Sequence, residues 1–218
     1  MDERTEFLAL SAPLSVDVRT ELAEVWDIGE QEAALATLIS ALTEADAALS
    51  AGARGRIAVL AEAWGCWETL RGALAGCRAD DAAPATIAMI EDTPEGLRIE
   101  AALGALFAAG RADPDSADGP GGVRGVANPW PGHSLVAWFS CRRCADVLVR
   151  VHKTEPWGPD LIAGAYVLLQ LGDGSGEGGG AAGGGAGLEI RASYHTGSPA
   201  LTALISTHHR SGGRPERR

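Results

Sequence analysis

The chain has 218 residues, enough for one large domain or two small ones. It carries 29 acids against 18 bases, a formal net charge of −11, which argues against a nucleic-acid surface spread over the molecule, because phosphates need a basic footprint. No run of ~18 apolar residues is present to span a bilayer, and the charged start MDERTEF has no apolar signal core, so the expected compartment is the cytoplasm.

The acidity is uneven. Residues 1–80 hold 14 acids and 6 bases, whereas residues 110–218 hold 10 and 11. The first stretch reads as helices. Ser15 can cap a helix with Val18, Leu22, Val25 and Trp26 on one face, ended by Gly29. A second starts at Glu30 and Glu32, whose carboxylates suit the positive end of the helix dipole, and buries Leu35, Leu38, Ile39 and Leu42. Ser50 can cap a third, with Ile57, Leu60, Ala61 and Trp64 inward and Gly65 closing it. Trp67, Leu70 and Leu74 mark a fourth. Leu14-Ser15, Arg19 and Leu22 recur 35 residues later as Leu49-Ser50, Arg54 and Ile57, two similar helix pairs. None of these stripes is stable alone, so a compact antiparallel bundle is expected over 1–80.

The stretch from Leu14 to Gly65 resembles the small bacterial immunity proteins of the MafI type. The likeness rests on a helix ending in Trp26-Asp27-Ile28-Gly29-Glu30 and an amphipathic helix through Ala34, Leu35 and Leu42. A Leu49-Ser50 turn and a third helix with Ile57 and Leu60 complete it. It covers about a third of the chain. It implies a non-enzymatic, acidic helical protein that neutralises a cognate protein toxin, often a basic nuclease. Charge would steer such an inhibitor onto a basic site. Asp27, Glu30 and Glu32 sit at one helix junction and form the expected partner-binding patch, although acids at a helix start also simply face the dipole and water. Trp26 and Trp64 could anchor an interface, but they lie on apolar stripes and are read as core.

Residues 81–111 read as a connecting helical segment. Thr93-Pro94-Glu95 opens its helix, Ile99, Leu103, Leu106 and Phe107 share a face, and Gly110 stops it. Alternation at Leu97, Ile99, Ala101 and Leu103 allows a strand instead. Residues 85–91 have no clear period. Residues 112–132 are rich in Pro, Gly and Asp and read as a linker.

The segment 133–210 reads as a small α+β module. Strands are expected at 134–140, 145–152, 165–171 and 187–194, with Leu188, Ile190, Ala192 and Tyr194 forming one dry face. The sixteen residues 172–187 contain ten Gly and read as a floppy loop between strands. Ser198-Pro199 opens a last helix with Leu201, Leu204, Ile205 and His208 on one face, and 211–218 is a frayed basic tail.

Cys141-Arg142-Arg143-Cys144 stands between the first two strands, the layout of a zinc knuckle. Zinc would need further ligands: His152 first, with His133, Cys66, Cys77 or His195 as other candidates. A redox dithiol and a hairpin with inert thiols are the other readings. Asp146, His152 and Ser193 could be drawn as a triad, but no G-x-S-x-G or H-E-x-x-H occurs, and no resident cofactor is implied apart from that zinc. The fold class expected is α+β: an N-terminal antiparallel bundle, then a small antiparallel sheet and a C-terminal helix. The function expected is protein binding, with a zinc-knuckle module as the alternative and an enzyme third.

Overall fold

A computed structural model describes residues 2–80, 87–112, 131–142, 144–155, 158–159, 162–171 and 188–211. Nearly all of the expected linker and tail, and the whole Gly-rich loop, lie outside them. The order is α1 (Glu3–Leu10), α2 (Val16–Asp27), α3 (Gln31–Glu44), α4 (Ala51–Ala63) and α5 (Trp67–Gly76), then β1 (Ile87–Met89) and α6 (Pro94–Ala112). There follow β2 (His133–Cys141), β3 (Asp146–Glu155), β4 (Gly158–Pro159), β5 (Ala165–Leu171), β6 (Leu188–Tyr194) and α7 (Gly197–Ser211). The α+β class is as expected from the sequence.

Local chemistry sets the helix ends. The Ser15 and Ser50 hydroxyls accept from the backbone N–H of Val18 and Ala53 at 3.4 and 3.1 Å, each satisfying one orphan donor. α2 and α4 end alike. Gly29 (φ +94°) donates to Trp26 O and Glu30 to Val25 O; Gly65 (φ +69°) donates to Glu62 O and Cys66 to Ala61 O. This is the paired Schellman closure, which needs a left-handed residue after the cap. α3 closes the same way with Asp46 at φ +48°.

The predicted faces are buried: Leu35, Leu38, Ile39 and Leu42 of α3, Ile57, Leu60 and Ala61 of α4, and Trp67, Leu70 and Leu74 of α5. α1 has no counterpart in the sequence reading. Asp2 caps it, and Phe7 brings it into the core by stacking on Trp26 with ring centroids 4.3 Å apart.

The strands form one antiparallel sheet in the order β1-β2-β3-β5-β6, with β4 paired to β3. β1 falls in the segment left without a period: three residues become an edge strand because Ile87, Ala88 and Met89 register against Cys141, Ser140 and Phe139. Strand alternation gives the sheet two apolar faces. Val147, Val149 and Val151 of β3, with Val167 and Leu169 of β5, pack with Ile90 and with Ile99 and Leu103 of α6. Leu148, Tyr166 and Leu168 turn the other way and join the core of the helices.

A bulge between Ala137 and Phe139 breaks the alternation in β2, so Trp138 and Phe139 both reach that second core. The bulge frees the Ala137 N–H, and Glu100 of α6 accepts it at 2.9 Å. α7 covers the same face through Ala200, Leu201 and Leu204.

Three sequence expectations change here, and one rival reading falls away. Gly110 does not stop α6, which runs to Ala112, in keeping with the ~1 kcal/mol that one interior Gly costs a helix held by packing. The strand alternative over 97–103 is not adopted. Ile190, expected on the dry face of β6, is partly exposed, while Ala192 and Tyr194 pack on the core and the Leu188 side chain lies outside the described residues. Finally, residues of 1–80 and 133–210 share one core, from Phe7 and Leu35 to Trp138 and Leu204. The side chains of Leu106, Phe107 and His208 fall outside the described residues.

Candidate functional site

The α2–α3 turn is built by the Gly29 closure. It leaves Ile28, the cap residue of α2, 76% exposed, and places Glu30 and Glu32 on the surface at the start of α3. Asp27 is not a lone charge. Arg4 of α1 donates to it twice, Nε to Oδ1 at 2.6 Å and Nη2 to Oδ2 at 2.7 Å, and those hydrogen bonds hold the carboxyl below its ordinary range.

The α4–α5 turn shares this end of the bundle. Trp64 sits edge-on to Trp26 with centroids 6.1 Å apart and donates Nε1–H to Glu3 Oε2 at 3.2 Å. Cys66 follows; burial first, and then the negative charge of Glu32, push its thiol up to about 11. Ile162, 48% exposed, lies against Gly65, 3.7 Å from where a Cβ would stand. One end of the molecule therefore presents two exposed isoleucines and a half-buried tryptophan among Glu3, Glu30 and Glu32. Of the two core tryptophans expected, Trp26 is buried and Trp64 only half so.

A second polar cluster lies inside. Arg150 of β3 is 1% exposed. Its Nη1 donates to Glu62 Oε2 of α4 at 2.5 Å, and its Nη2 donates to Glu91 Oε1 in the turn after β1. Glu62, fully buried, also accepts the Ala163 N–H at 3.0 Å, and His152 Nε2 lies 3.8 Å from it. Trp67 Nε1–H reaches Glu91 Oε2 at 2.8 Å, and the guanidinium stands 4.9 Å from the Trp138 ring centre. Burial raises the Glu91 carboxyl, opposed by Arg150; burial and then Glu62 raise the Tyr166 hydroxyl. This cluster ties α4, β3 and the β1–α6 turn together from within.

The sequence reading missed these acids and Arg150. Arg150 looks like one charge in an apolar strand, and Glu62 looks like a solvated residue off the stripe. The available signal was the unbroken apolar run Ile57-Ala58-Val59-Leu60-Ala61, which marks a helix covered on more than one side.

The proposed zinc set does not assemble. Cys141 ends β2 and Cys144 stands in the turn, but His152 is six residues along β3 from Asp146, about 20 Å away at strand rise. There its neighbour is Glu62. His133 registers with Lys153 at that same far end. Cys66 and Cys77 flank α5, and His195 is exposed beyond β6. Among the described residues no group of three or more His, Cys, Asp or Glu is arranged to hold a metal ion. Asp146, His152 and Ser193 are not brought together either: Asp146 and His152 stand six residues apart along β3, and β5 separates β3 from Ser193 of β6. Among the described residues no helix is long and apolar enough to cross a membrane.

Compared with family models, curated proteins and solved structures, the chain matches none.

Proposed function

We propose that this chain is a binding protein for a basic protein partner and acts as an immunity factor against a toxin of that charge. The contact surface is the end of the bundle formed by the α2–α3 and α4–α5 turns. The observation that carries the reading is Ile28, held 76% exposed by the Gly29 closure with Glu30 and Glu32 beside it. An apolar anchor inside a charged rim is the usual anatomy of a protein interface. Because Arg4 engages Asp27, the patch is carried by Glu30 and Glu32 rather than by all three acids. The chain's net charge of −11 supplies long-range attraction to a cationic partner.

The test is pull-down of the product of the neighbouring gene, together with rescue of cells that express it. Ile28→Ser should weaken binding by about tenfold or more, mainly through faster dissociation. Glu30→Lys with Glu32→Lys should slow association and flatten its salt dependence. Absence of any toxin-domain partner and of rescue, or variants that bind as the natural protein does, would sink the proposal.

A further inference from the structure

We propose that the cleft between α1, α4 and α7 binds a small zwitterion, with an ammonium and a carboxylate joined by a polar chain, as in a free dipeptide. This does not rest on the reading above, whose surface is formed by the α2–α3 and α4–α5 turns. The cleft has a volume of about 590 Å³, within the ~300–1,000 Å³ of small-molecule sites. Glu6 of α1 and Arg56 of α4 line it, with Ser198, Thr202 and Ser206 of α7.

Close packing of the three helices fixes these groups. A Cβ on Gly197 would stand 2.9 Å from Val59 Cγ1 of α4, and one on Gly55 would stand 3.2 Å from Leu201 Cδ2 of α7. Residue 59 thus meets 197 and residue 55 meets 201, so α4 and α7 run antiparallel and Arg56 stands level with the first turn of α7. Glu6 precedes Phe7, whose stacking on Trp26 anchors α1. Ser198, Thr202 and Ser206 recur every fourth residue, so they share one face of α7 and span ~12 Å along it.

The charges choose the ligand. Glu6 is only 9% exposed, and its side-chain partner is a neutral donor: Ser198 Oγ–H donates to Oε2 at 3.2 Å. Among the described residues no Arg, Lys or His pairs with it. Arg56 is exposed, and among the described residues no acid pairs with it. A carboxylate held so far from water without a cation is costly, so Glu6 selects a positively charged group. A carboxylate accepts about four hydrogen bonds, and Ser198 supplies one. The Arg56 guanidinium takes a carboxylate through its paired N–H groups. A simple amine would be repelled by Arg56 and a simple acid by Glu6, whereas a zwitterion answers both. Thr202 and Ser206 are exposed hydroxyls that donate and accept, which suits an amide rather than an alkyl chain between the two charges.

The experiment titrates the full chain with diglycine in a calorimeter. The expected result is binding with a Kd on the order of 1 mM or tighter. N-acetyl-diglycine lacks the ammonium and diglycine amide lacks the carboxylate, and each should bind at least about tenfold more weakly. Glu6→Gln keeps an acceptor for Ser198 but removes the charge. It should weaken diglycine about tenfold and leave N-acetyl-diglycine no weaker. Arg56→Gln changes an exposed side chain, so the fold survives even where Glu6→Gln does not. It should weaken diglycine by a similar factor and leave diglycine amide no weaker. The proposal is overturned if diglycine does not bind, if either capped form binds as well as diglycine, or if Arg56→Gln leaves diglycine binding unchanged.

Discussion

Replacing Arg150 by Met keeps most of the side-chain volume and removes the cation that bridges Glu62 and Glu91. Glu62, with no exposed surface, would keep, among the described residues, the Ala163 N–H and the nearby His152. Glu91 would keep the Trp67 N–H and, at 4.0 Å, the half-exposed Arg71. Stranding a buried carboxylate after removal of its partner costs about 3–5 kcal/mol, a large part of the roughly 5–15 kcal/mol that holds a domain folded. Adding Glu62→Gln and Glu91→Gln removes the stranded charge, and the triple variant should regain most of that loss, since a neutral replacement of a buried ion cluster is often no worse than the original. Urea unfolding followed by tryptophan fluorescence reads both, with Trp67 and Trp138 beside the cluster. The reasoning fails if Arg150→Met costs less than about 1 kcal/mol, or if the triple variant is no more stable than the single one.

Alkaline titration should destabilise the fold. Cys66 and Cys144 have thiols raised from 9.0 to about 11 and about 12, so each adds stability that is complete below the unfolded value and lost as pH climbs through the folded one. Melting temperature should therefore fall from pH 9 upward, and Cys66→Ser should flatten part of that fall; a flat profile to pH 11 contradicts it. Gly96→Ala should cost about 1–3 kcal/mol, because a Cβ there runs into the Ile90 carbonyl oxygen; a melt unchanged from the natural protein would refute the clash. Asp46→Gly should stabilise by up to about 1 kcal/mol by relieving the left-handed backbone, less whatever the exposed pair with Arg78 contributes; a lowered urea midpoint would mean the pair outweighs the backbone.

The parts of this fold that the sequence reveals are those set within a few residues. Ser15, Ser50, Gly29 and Gly65 act on their own helices, and the leucines of α3 repeat at helical period, so these were legible. β1 was not, because three residues with no pattern become a strand only when β2 offers its edge. α1 was missed because eight residues carrying Phe7 and Leu10 give too short a period to recognise, and its burial depends on Trp26 of the next helix. At the candidate surface the acids were legible by position, but not the Arg4 contact with Asp27, which joins residues 23 apart. The Cys141–Cys144 turn was legible as a hairpin tip. The distance that separates His152 from it follows from strand register, which spacing in the chain does not give.

The buried cluster also explains how two apolar layers meet in one arrangement. Trp138, Leu148, Tyr166 and Leu168 would tolerate several placements against α4 and α5, since apolar contact is not directional. Arg150 and His152 alternate with Val149 and Val151 along β3, so a slip of one residue would turn both toward α6. There the packed neighbours are Ile90, Ile99 and Leu103, and Glu100 is already engaged with the bulge at Ala137. Only the observed register gives the guanidinium both Glu62 and Glu91. The cluster thus selects a placement more than it adds stability, a role known for buried polar groups in other proteins. The cluster fixes α4 from inside, while Ile28, Glu30 and Glu32 stand in solvent at the α2–α3 turn, outside that core.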